Sequence, residues 1–222
     1  MSEFLNVKDL EYYYQDGDSR RYIFNDLNYN FEKGKFYAIL GESGSGKTTL
    51  LSILSGMDTQ TSGVVDFNGK SIQEIGLNNY RRNNVGMVFQ SYNLIPYMTP
   101  YENLLIAMSI TDNKIEEKSS VVYNLLDFLG ITKTKANRLV TKLSGGEQQR
   151  VAIARSLSTN VDLILADEPT GNLDLETEET IVETFHLLAK EYDKCVIVAT
   201  HSNEVAKHAD VIINLSSGQK HE

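Results

Sequence analysis

The chain has a single cysteine, fewer basic than acidic residues and no long apolar run, and each shortage narrows what it does. Cys195 is the one thiol among 222 residues, so no disulfide partner is expected, and the usage fits a reducing compartment. It sits in Cys195-Val196-Ile197-Val198-Ala199, which reads as a buried structural thiol and not as a nucleophile. Lys and Arg number 21 against 30 Asp and Glu, a net charge of −9. That balance argues against general nucleic-acid binding, which needs a basic face. No apolar stretch approaches the ~20 residues that cross a bilayer, so any membrane role is expected to run through a partner. Met1-Ser2-Glu3-Phe4-Leu5-Asn6 has no basic segment followed by an apolar one, so no signal peptide is expected. There is no internal repeat and no low-complexity tract.

What the sequence does have is organised around Gly41-Glu42-Ser43-Gly44-Ser45-Gly46-Lys47-Thr48-Thr49. The apolar run Phe36 to Leu40 precedes it and Leu50-Leu51-Ser52-Ile53-Leu54 follows. The order reads as strand, glycine-rich loop, helix, and the spacing fits the phosphate-binding pattern G-x-x-x-x-G-K-[ST]. Glycines let the backbone wrap a phosphate chain with its N–H groups turned inward. The helix that follows presents its positive end to the same anion. Lys47 supplies a point charge for the β- and γ-phosphates, and the Thr48 hydroxyl is placed to ligand Mg²⁺.

Before this loop, Phe4 to Leu10 reads as a strand with Leu5 and Val7 on one face. Tyr12, Tyr13 and Tyr14 follow, then a turn signal at Gln15-Asp16-Gly17-Asp18. A tyrosine here could stack on a nucleobase; on their own the three read as strand aromatics. Asp26 to Phe31 alternates as a half-buried strand. Beyond the loop helix, Val64 to Phe67 is a strand and Asn68-Gly69 a hairpin turn. Asn84 to Phe89 is another strand, ending at Gln90. From about Ser91 to Leu157 the spacing is helical, with a helix start at Thr99-Pro100-Tyr101-Glu102 and a stop at Gly130. At its far end Leu143-Ser144-Gly145-Gly146-Glu147-Gln148-Gln149-Arg150 opens a helix over 147–158, with Val151, Ala152, Ala154, Arg155 and Leu157 inward. This is a second anion site at a helix N-terminus, or plain capping by Ser144.

Val161 to Ala166 then runs into Asp167-Glu168, as a buried parallel strand ending in two acids. Ligands of open α/β sheets bind beyond such strand ends. There Asp167 would hold the hydration shell of Mg²⁺, while Glu168 accepts a proton from the attacking water or orients it. Pro169 to Asp174 is a loop before a helix at 176–190. Cys195 to Ala199 is a further strand that leads to Thr200-His201, so His201 lies on the same edge as Asp167 and could bind a γ-phosphate or the water. His186, His208 and His221 have no such placement. Ala209 to Leu215 is a final strand with a turn at Ser216-Ser217-Gly218, and no further domain is expected after it.

Taken together, these motifs resemble the ATP-binding subunit of an ABC transporter, over essentially the whole chain and in that family's order. The stretch Leu143 to Glu147 looks like the ABC signature and separates the chain from kinases, GTPases and other phosphate-loop motors. The resemblance implies a P-loop NTPase (RecA-like) α/β core over 1–90 and 158–222, an antiparallel β subdomain, and an all-helical insertion at about 91–157. It also implies residue roles. Tyr14 matches the adenine-stacking aromatic, with Tyr12 or Tyr13 as alternatives. Gly41, Ser43, Gly44, Ser45, Gly46, Lys47, Thr48 and Thr49 would hold the nucleotide; Gln90 looks like the glutamine that joins Thr48 and Asp167 at Mg²⁺. Glu168, His201, Gln90 and Lys47 would be catalytic. Ser144, Gly145, Gly146 and Asp174 would reach the ATP of a second subunit, making a head-to-tail homodimer. Glu147 stands where many members have Gln.

The stretches Phe89 to Pro96, Leu143 to Arg150 and Asp167 to Asp174 look like the bacterial group containing the macrolide exporter MacB, the lipoprotein-release ATPase LolD, the cell-division ATPase FtsE and the antimicrobial-peptide-resistance ATPases. That group implies an ATPase using ATP and Mg²⁺, peripheral at the cytoplasmic face of the cell membrane through an integral permease subunit. Its work would be export, lipoprotein release or peptide resistance, or alternatively mechanical signalling or cell division without a transported substrate. A soluble ABC ATPase is a weaker alternative, since such proteins usually carry coiled-coil insertions or fused ATPase units.

Overall fold

The computed structural model describes residues 4–16 and 19–215. Gly17 and Asp18 of the expected first turn, the turn at 216–218 and His221 lie outside them. The elements begin with β1 (Leu5–Asp16), β2 (Ser19–Phe31), β3 (Phe36–Leu40), α1 (Lys47–Leu54), β4 (Ser62–Phe67), β5 (Lys70–Ser71), α2 (Ile72–Ile75), α3 (Leu77–Asn84) and β6 (Val85–Phe89). After them come α4 (Pro100–Ile110), α5 (Lys118–Phe128), α6 (Lys133–Ala136), a 3₁₀ turn at Val140–Lys142, α7 (Gly145–Ser158), β7 (Leu163–Asp167), α8 (Leu175–Lys190), β8 (Cys195–Thr200), α9 (Asn203–His208) and β9 (Val211–Asn214).

The described strands form two sheets. One is antiparallel in the order β2-β1-β4-β5, and the other is parallel in the order β6-β7-β8-β3-β9. The near-continuous apolar runs of the parallel strands follow from burial on both faces. Successive side chains on a strand point to opposite faces. Leu163 and Leu165 of β7 accordingly join one core with Cys195, Ile197 and Ala199 of β8. Ile164 and Ala166 join the other with Val196 and Val198. The first core lies toward the antiparallel sheet and α1; the second holds apolar residues of α4, α5, α7 and α8. Cys195 is fully buried and free, and burial pushes its thiol well above the ordinary range.

Local chemistry accounts for the element ends. Thr99 caps α4 in a reciprocal capping box with Glu102, and Pro100 occupies the first turn. Asn68 and Gly69 both have positive φ, 50° and 77°, as a two-residue β4–β5 hairpin requires.

Several elements differ from the sequence reading. The three tyrosines lie in β1, paired with Phe24, Tyr22 and Arg21 of β2, as strand aromatics should, but Gln15 and Asp16 of the expected turn also belong to the strand, because Gln15 pairs with Arg20. For the same reason β2 begins at Ser19, well before Asp26: backbone pairing carries its polar, exposed first turn without an apolar pattern. α2 and α3 are short and mostly polar, which hid them in the sequence; the segment is anchored by Ile72 and Tyr80, both fully buried, with the Tyr80 hydroxyl donating to the Leu54 carbonyl at 2.9 Å. α7 starts at Gly145, two residues earlier than expected, and is buried on most of its circumference, with Ile153 and Gln149 inside and Leu157 only half-buried.

Candidate functional site

The parallel register brings the strand ends to one edge. Leu40 aligns with Thr200, Ala199 with Asp167, and Asp167 with Phe89. The loops that follow therefore deliver Gly41 to Gly46, His201, Glu168 and Gln90 to the same place. Ser43, Gly44, Gly46, Gln90, Glu168 and His201 line a cleft of about 800 Å³ together with Tyr14, Lys47, Thr48 and Thr49; Gly41, Ser45 and Asp167 are not among its lining residues. Arg21 and Ile23 of β2 also line it. Sequence reading missed both, because nothing in the polar run Ser19 to Arg21 signals that the hairpin folds over the cleft.

The phosphate loop is set by backbone constraints. Gly46 is the cap residue of α1 with φ +99°, and a Cβ there would meet Ile23 Cγ2 at 2.6 Å and the Phe24 ring at 2.9 Å. Only glycine satisfies both the left-handed backbone and the close approach. Lys47 is nearly buried, and its ammonium donates to the carbonyls of Gly41 at 2.7 Å and Glu42 at 3.2 Å. Its Nζ lies 3.9 Å from Glu168 Oε1. Ser45 is buried with its hydroxyl unpartnered. The loop thus sets the nearly buried Lys47 cation at the start of α1, on the wall of the cleft, an arrangement suited to an anion.

Across the cleft, Glu168 occupies a left-handed backbone conformation, φ +46°, which is rare for a residue with a Cβ and clusters at functional sites. Its Oε2 lies 2.9 Å from Nδ1 of His201, whose ring is mostly exposed toward solvent. Asp167 precedes it, with Oδ1 buried and unpartnered. Burial holds the Asp167 carboxyl above the usual range, and the neighbouring charge of Glu168 adds to this; a hydrogen bond with Thr48 and the charge of Lys47 oppose it. A buried carboxylate oxygen without a donor, beside a threonine hydroxyl, is a donor set for a hard cation. The Asp167, Thr48 and Gln90 positions fit Mg²⁺ held between a few protein oxygens and a phosphate chain. Among the described residues no cluster of three or more His, Cys, Asp or Glu forms a metal cage.

The remaining expected residues lie apart from this cleft. Ser144 caps α7 in a reciprocal box with Glu147, whose carboxylate accepts from the Ser144 N–H at 2.9 Å. Glu147 also pairs with Lys135, and that hydrogen bond, helped by the Ser144 N–H, holds its carboxyl below the usual range. The acid at this position thus has a partner that glutamine would lack as a charge. A Cβ on Gly146 would meet Thr177 Cγ2 at 2.5 Å, so the start of α7 packs directly on the start of α8. There Asp174 accepts from Thr177 N at 3.0 Å and Oγ1 at 2.9 Å. The structure brings Gly146, Thr177 and Asp174 together, and none of Ser144, Gly145, Gly146 or Asp174 lines the cleft.

Known proteins resemble the chain in sequence and in fold. A family model described as ABC transporter matches residues 24–171. The chain is 46% identical to the ABC transporter ATP-binding protein YclH of Bacillus subtilis, over 96% of this chain and 94% of that one. It is 36% identical to the lipoprotein-releasing system ATP-binding protein LolD of Geobacter metallireducens, over 99% and 98%. Among solved structures, the dimeric bacterial ABC transporter cassette MJ0796 superposes with a TM-score of 0.88 at 36% identity, covering 99% of this chain and 97% of that one. A dimeric post-hydrolysis state of the same cassette, bound to ADP and Pi, superposes at 0.86 with 33% identity, covering 99% and 98%.

Proposed function

The chain belongs to the ABC transporter family and is an ATPase of it, and from this we propose that two copies close head to tail on ATP and so drive an integral membrane partner of the lipoprotein-release or export type. The observation that carries the proposal is the separation of the two anion-binding helix starts. Lys47, Thr48, Gln90, Glu168 and His201 converge on one cleft, while Ser144 to Gly146 and Asp174 face elsewhere. A single chain cannot use both on one nucleotide; a two-fold pair of chains can, and it makes two equal sites. The dimeric relative of the same fold supports this reading.

In that pair Tyr14, half-exposed at the cleft rim, stacks on adenine. The 41–49 loop and Lys47 hold the phosphates, and Thr48, Gln90 and Asp167 face Mg²⁺, which when bound neutralises phosphate charge. Glu168 orients and deprotonates water, with His201 fixing Glu168 and reaching the γ-phosphate. The partner's copy of the α7 start adds a second positive helix end. Loss of the γ-phosphate removes what both helix ends hold, and the pair loosens.

The link to the membrane runs through the loop after Gln90. Arg155 of α7 donates to the Tyr92 and Asn93 carbonyls, so that loop is fastened to α7 within the helical segment 91–157, which we propose moves as a unit against the core. Tyr97, between Gln90 and α4, is 75% exposed, an apolar side chain to meet a short helix of the permease near Gln90 to Tyr101. No helix of the described residues is long and apolar enough to cross a membrane; the proposed place, peripheral on the cytoplasmic face, follows from the membrane partner proposed above.

The test is a two-step assay on the Glu168→Gln protein. Mg-ATP should convert it from monomer to a long-lived dimer by sedimentation. A mild-detergent pull-down of that dimer from native membranes should recover an integral protein with few spans and a large outer domain. Persistence of the monomer sinks the head-to-tail reading, and recovery of a many-span permease sinks the lipoprotein-release or export assignment.

A further inference from the structure

A second, smaller cleft of about 290 Å³ lies against the Glu168–His201 pair, lined by Thr170, Gly171, Leu173, Glu178, Thr200 and Ser202 besides the pair itself. Its polar centre is one carboxylate oxygen. Glu178 Oε1 accepts from Thr170 Oγ1 at 3.1 Å and from Ser202 Oγ at 2.7 Å. Thr170 stands two residues after Glu168, and Ser202 one residue after His201. Glu178 itself sits in the first turn of α8, its N–H bonded to the Asp174 carbonyl at 2.9 Å, so its backbone is held by the helix. Ser202 is fixed further, because its hydroxyl accepts the Glu204 and Val205 N–H groups at the start of α9 and its own N–H donates to Thr200 Oγ1 at 3.0 Å.

The loops after β7 and β8 are therefore tied twice through side chains, in addition to the Glu168 N–H that donates to the Ala199 carbonyl at 2.9 Å. The upper tie is Glu168 to His201 at 2.9 Å. The lower tie is Glu178, bridging the residues that flank that pair. We infer that Glu178 is a positioning residue for hydrolysis, setting the spacing of Glu168 and His201 from beneath. The inference rests on the reading of Glu168 and His201 as the hydrolytic pair. Its physical basis is the steep dependence of rate on geometry: a reacting carboxylate loses productive orientation with a displacement of about 1 Å, and it stays in register only when its supports are hydrogen-bonded. Glu168 depends on such support more than most groups, since its own left-handed backbone, φ +46°, is not a resting conformation. Glu178 does not line the large cleft that would hold the nucleotide, so its loss acts on turnover and not on ATP affinity.

The test compares steady-state ATP hydrolysis by wild type, Glu178→Ala, Glu178→Gln, Thr170→Val and the Glu178→Ala/Thr170→Val pair, with Glu168→Gln alongside. Glu178→Ala should lower kcat about tenfold with KM for ATP within about twofold. Glu178→Gln keeps an acceptor oxygen and should recover kcat to within about threefold of wild type. Thr170→Val should lower kcat, and the double variant should be no worse than Glu178→Ala, since both cut one tie. Thermal unfolding of each variant separates positioning from simple loss of fold: a kcat loss in Ala, rescued in Gln at equal unfolding temperature, supports the inference. Wild-type kcat in Glu178→Ala, an equal loss in Gln, or a KM that rises in step with the fall in kcat overturns it. If Glu168→Gln hydrolyses ATP normally, the hydrolytic pair itself is misassigned and the inference falls with it; if Glu168→Gln is inactive while Glu178→Ala is normal, only the inference falls.

Discussion

Asp167→Asn should make the nucleotide-free protein more stable while removing the effect of Mg²⁺. Oδ1 of Asp167 is buried without a partner, and Glu168 stands next to it in sequence with a like charge. An unsatisfied buried polar group costs about 1–3 kcal/mol. Asparagine has nearly the same shape and no charge, but its amide is polar too, so about 1 kcal/mol of relief is expected. For a chain of this length that corresponds to a rise in Tm of about 2–4 °C. The pH dependence carries a sign. Burial raises the folded-state carboxyl above its unfolded value, so the folded protein binds that proton more tightly. Its contribution to stability is present at low pH and is lost as pH rises from the unfolded value through the raised folded one; above both, the penalty is complete. Asparagine removes that slope, so the gain should be seen at neutral pH and fade in acid. With ligand the order reverses. Wild type at a hundredfold excess of Mg-ATP over Kd gains about 2.7 kcal/mol, and part of this should vanish when EDTA removes the metal. In Asp167→Asn, ATP with EDTA and Mg-ATP should stabilise equally. Thermal unfolding in the three ligand conditions, at neutral and mildly acid pH, measures all of it. A nucleotide-free variant less stable than wild type, or one that still gains from Mg²⁺ as wild type does, refutes the assignment of Asp167 to the cation.

Three further outcomes follow from the same geometry. Gly46→Ala should abolish ATP binding in calorimetry and lower stability by about 1–2 kcal/mol, since the added Cβ meets Ile23 and Phe24 at under 3 Å on a left-handed backbone. Tyr14→Ala should weaken ATP by about 1–3 kcal/mol, the value of one base stack, without a change in Tm beyond about 2 °C; an equal loss for inorganic triphosphate would show that the ring does not stack on the base. Ser144→Ala removes the α7 cap, which should cost about 1 kcal/mol of stability. It should also prevent the Mg-ATP dimer in sedimentation while leaving monomer binding of ATP intact; a dimer formed as readily as in wild type would remove the α7 start from the interface.

The parts legible in the sequence are those where one short stretch carries both the geometry and the chemistry. The 41–49 loop is such a stretch, because its strand, glycines, lysine and helix are consecutive. Parallel strands ending in Asp167-Glu168 and Thr200-His201 are another, because burial on both faces prints an uninterrupted apolar run and its end marks the ligand edge. Elements held by contacts with residues far along the chain were not legible. Tyr80 anchors α3 through Leu54, 26 residues away, and β2 extends to Ser19 through pairing with a strand whose own pattern is broken by register shifts. Neither leaves a periodic trace.

The same distinction orders the site. Residues that would touch the nucleotide belong to compact motifs, since phosphate, metal and water must be met by groups a few ångströms apart on loops of fixed form. Residues that hold those loops in place are under no such constraint. Arg21 arrives at the cleft from a hairpin, and Glu178 reaches two loops from a helix that belongs to neither. Only the fold makes Thr170 and Ser202 neighbours of one carboxylate, and only there does a glutamate in an otherwise acidic, solvated helix turn acquire a reason to be that residue. The chemistry of this protein is therefore written locally, while the precision with which it is held is written in contacts between elements far apart in the chain.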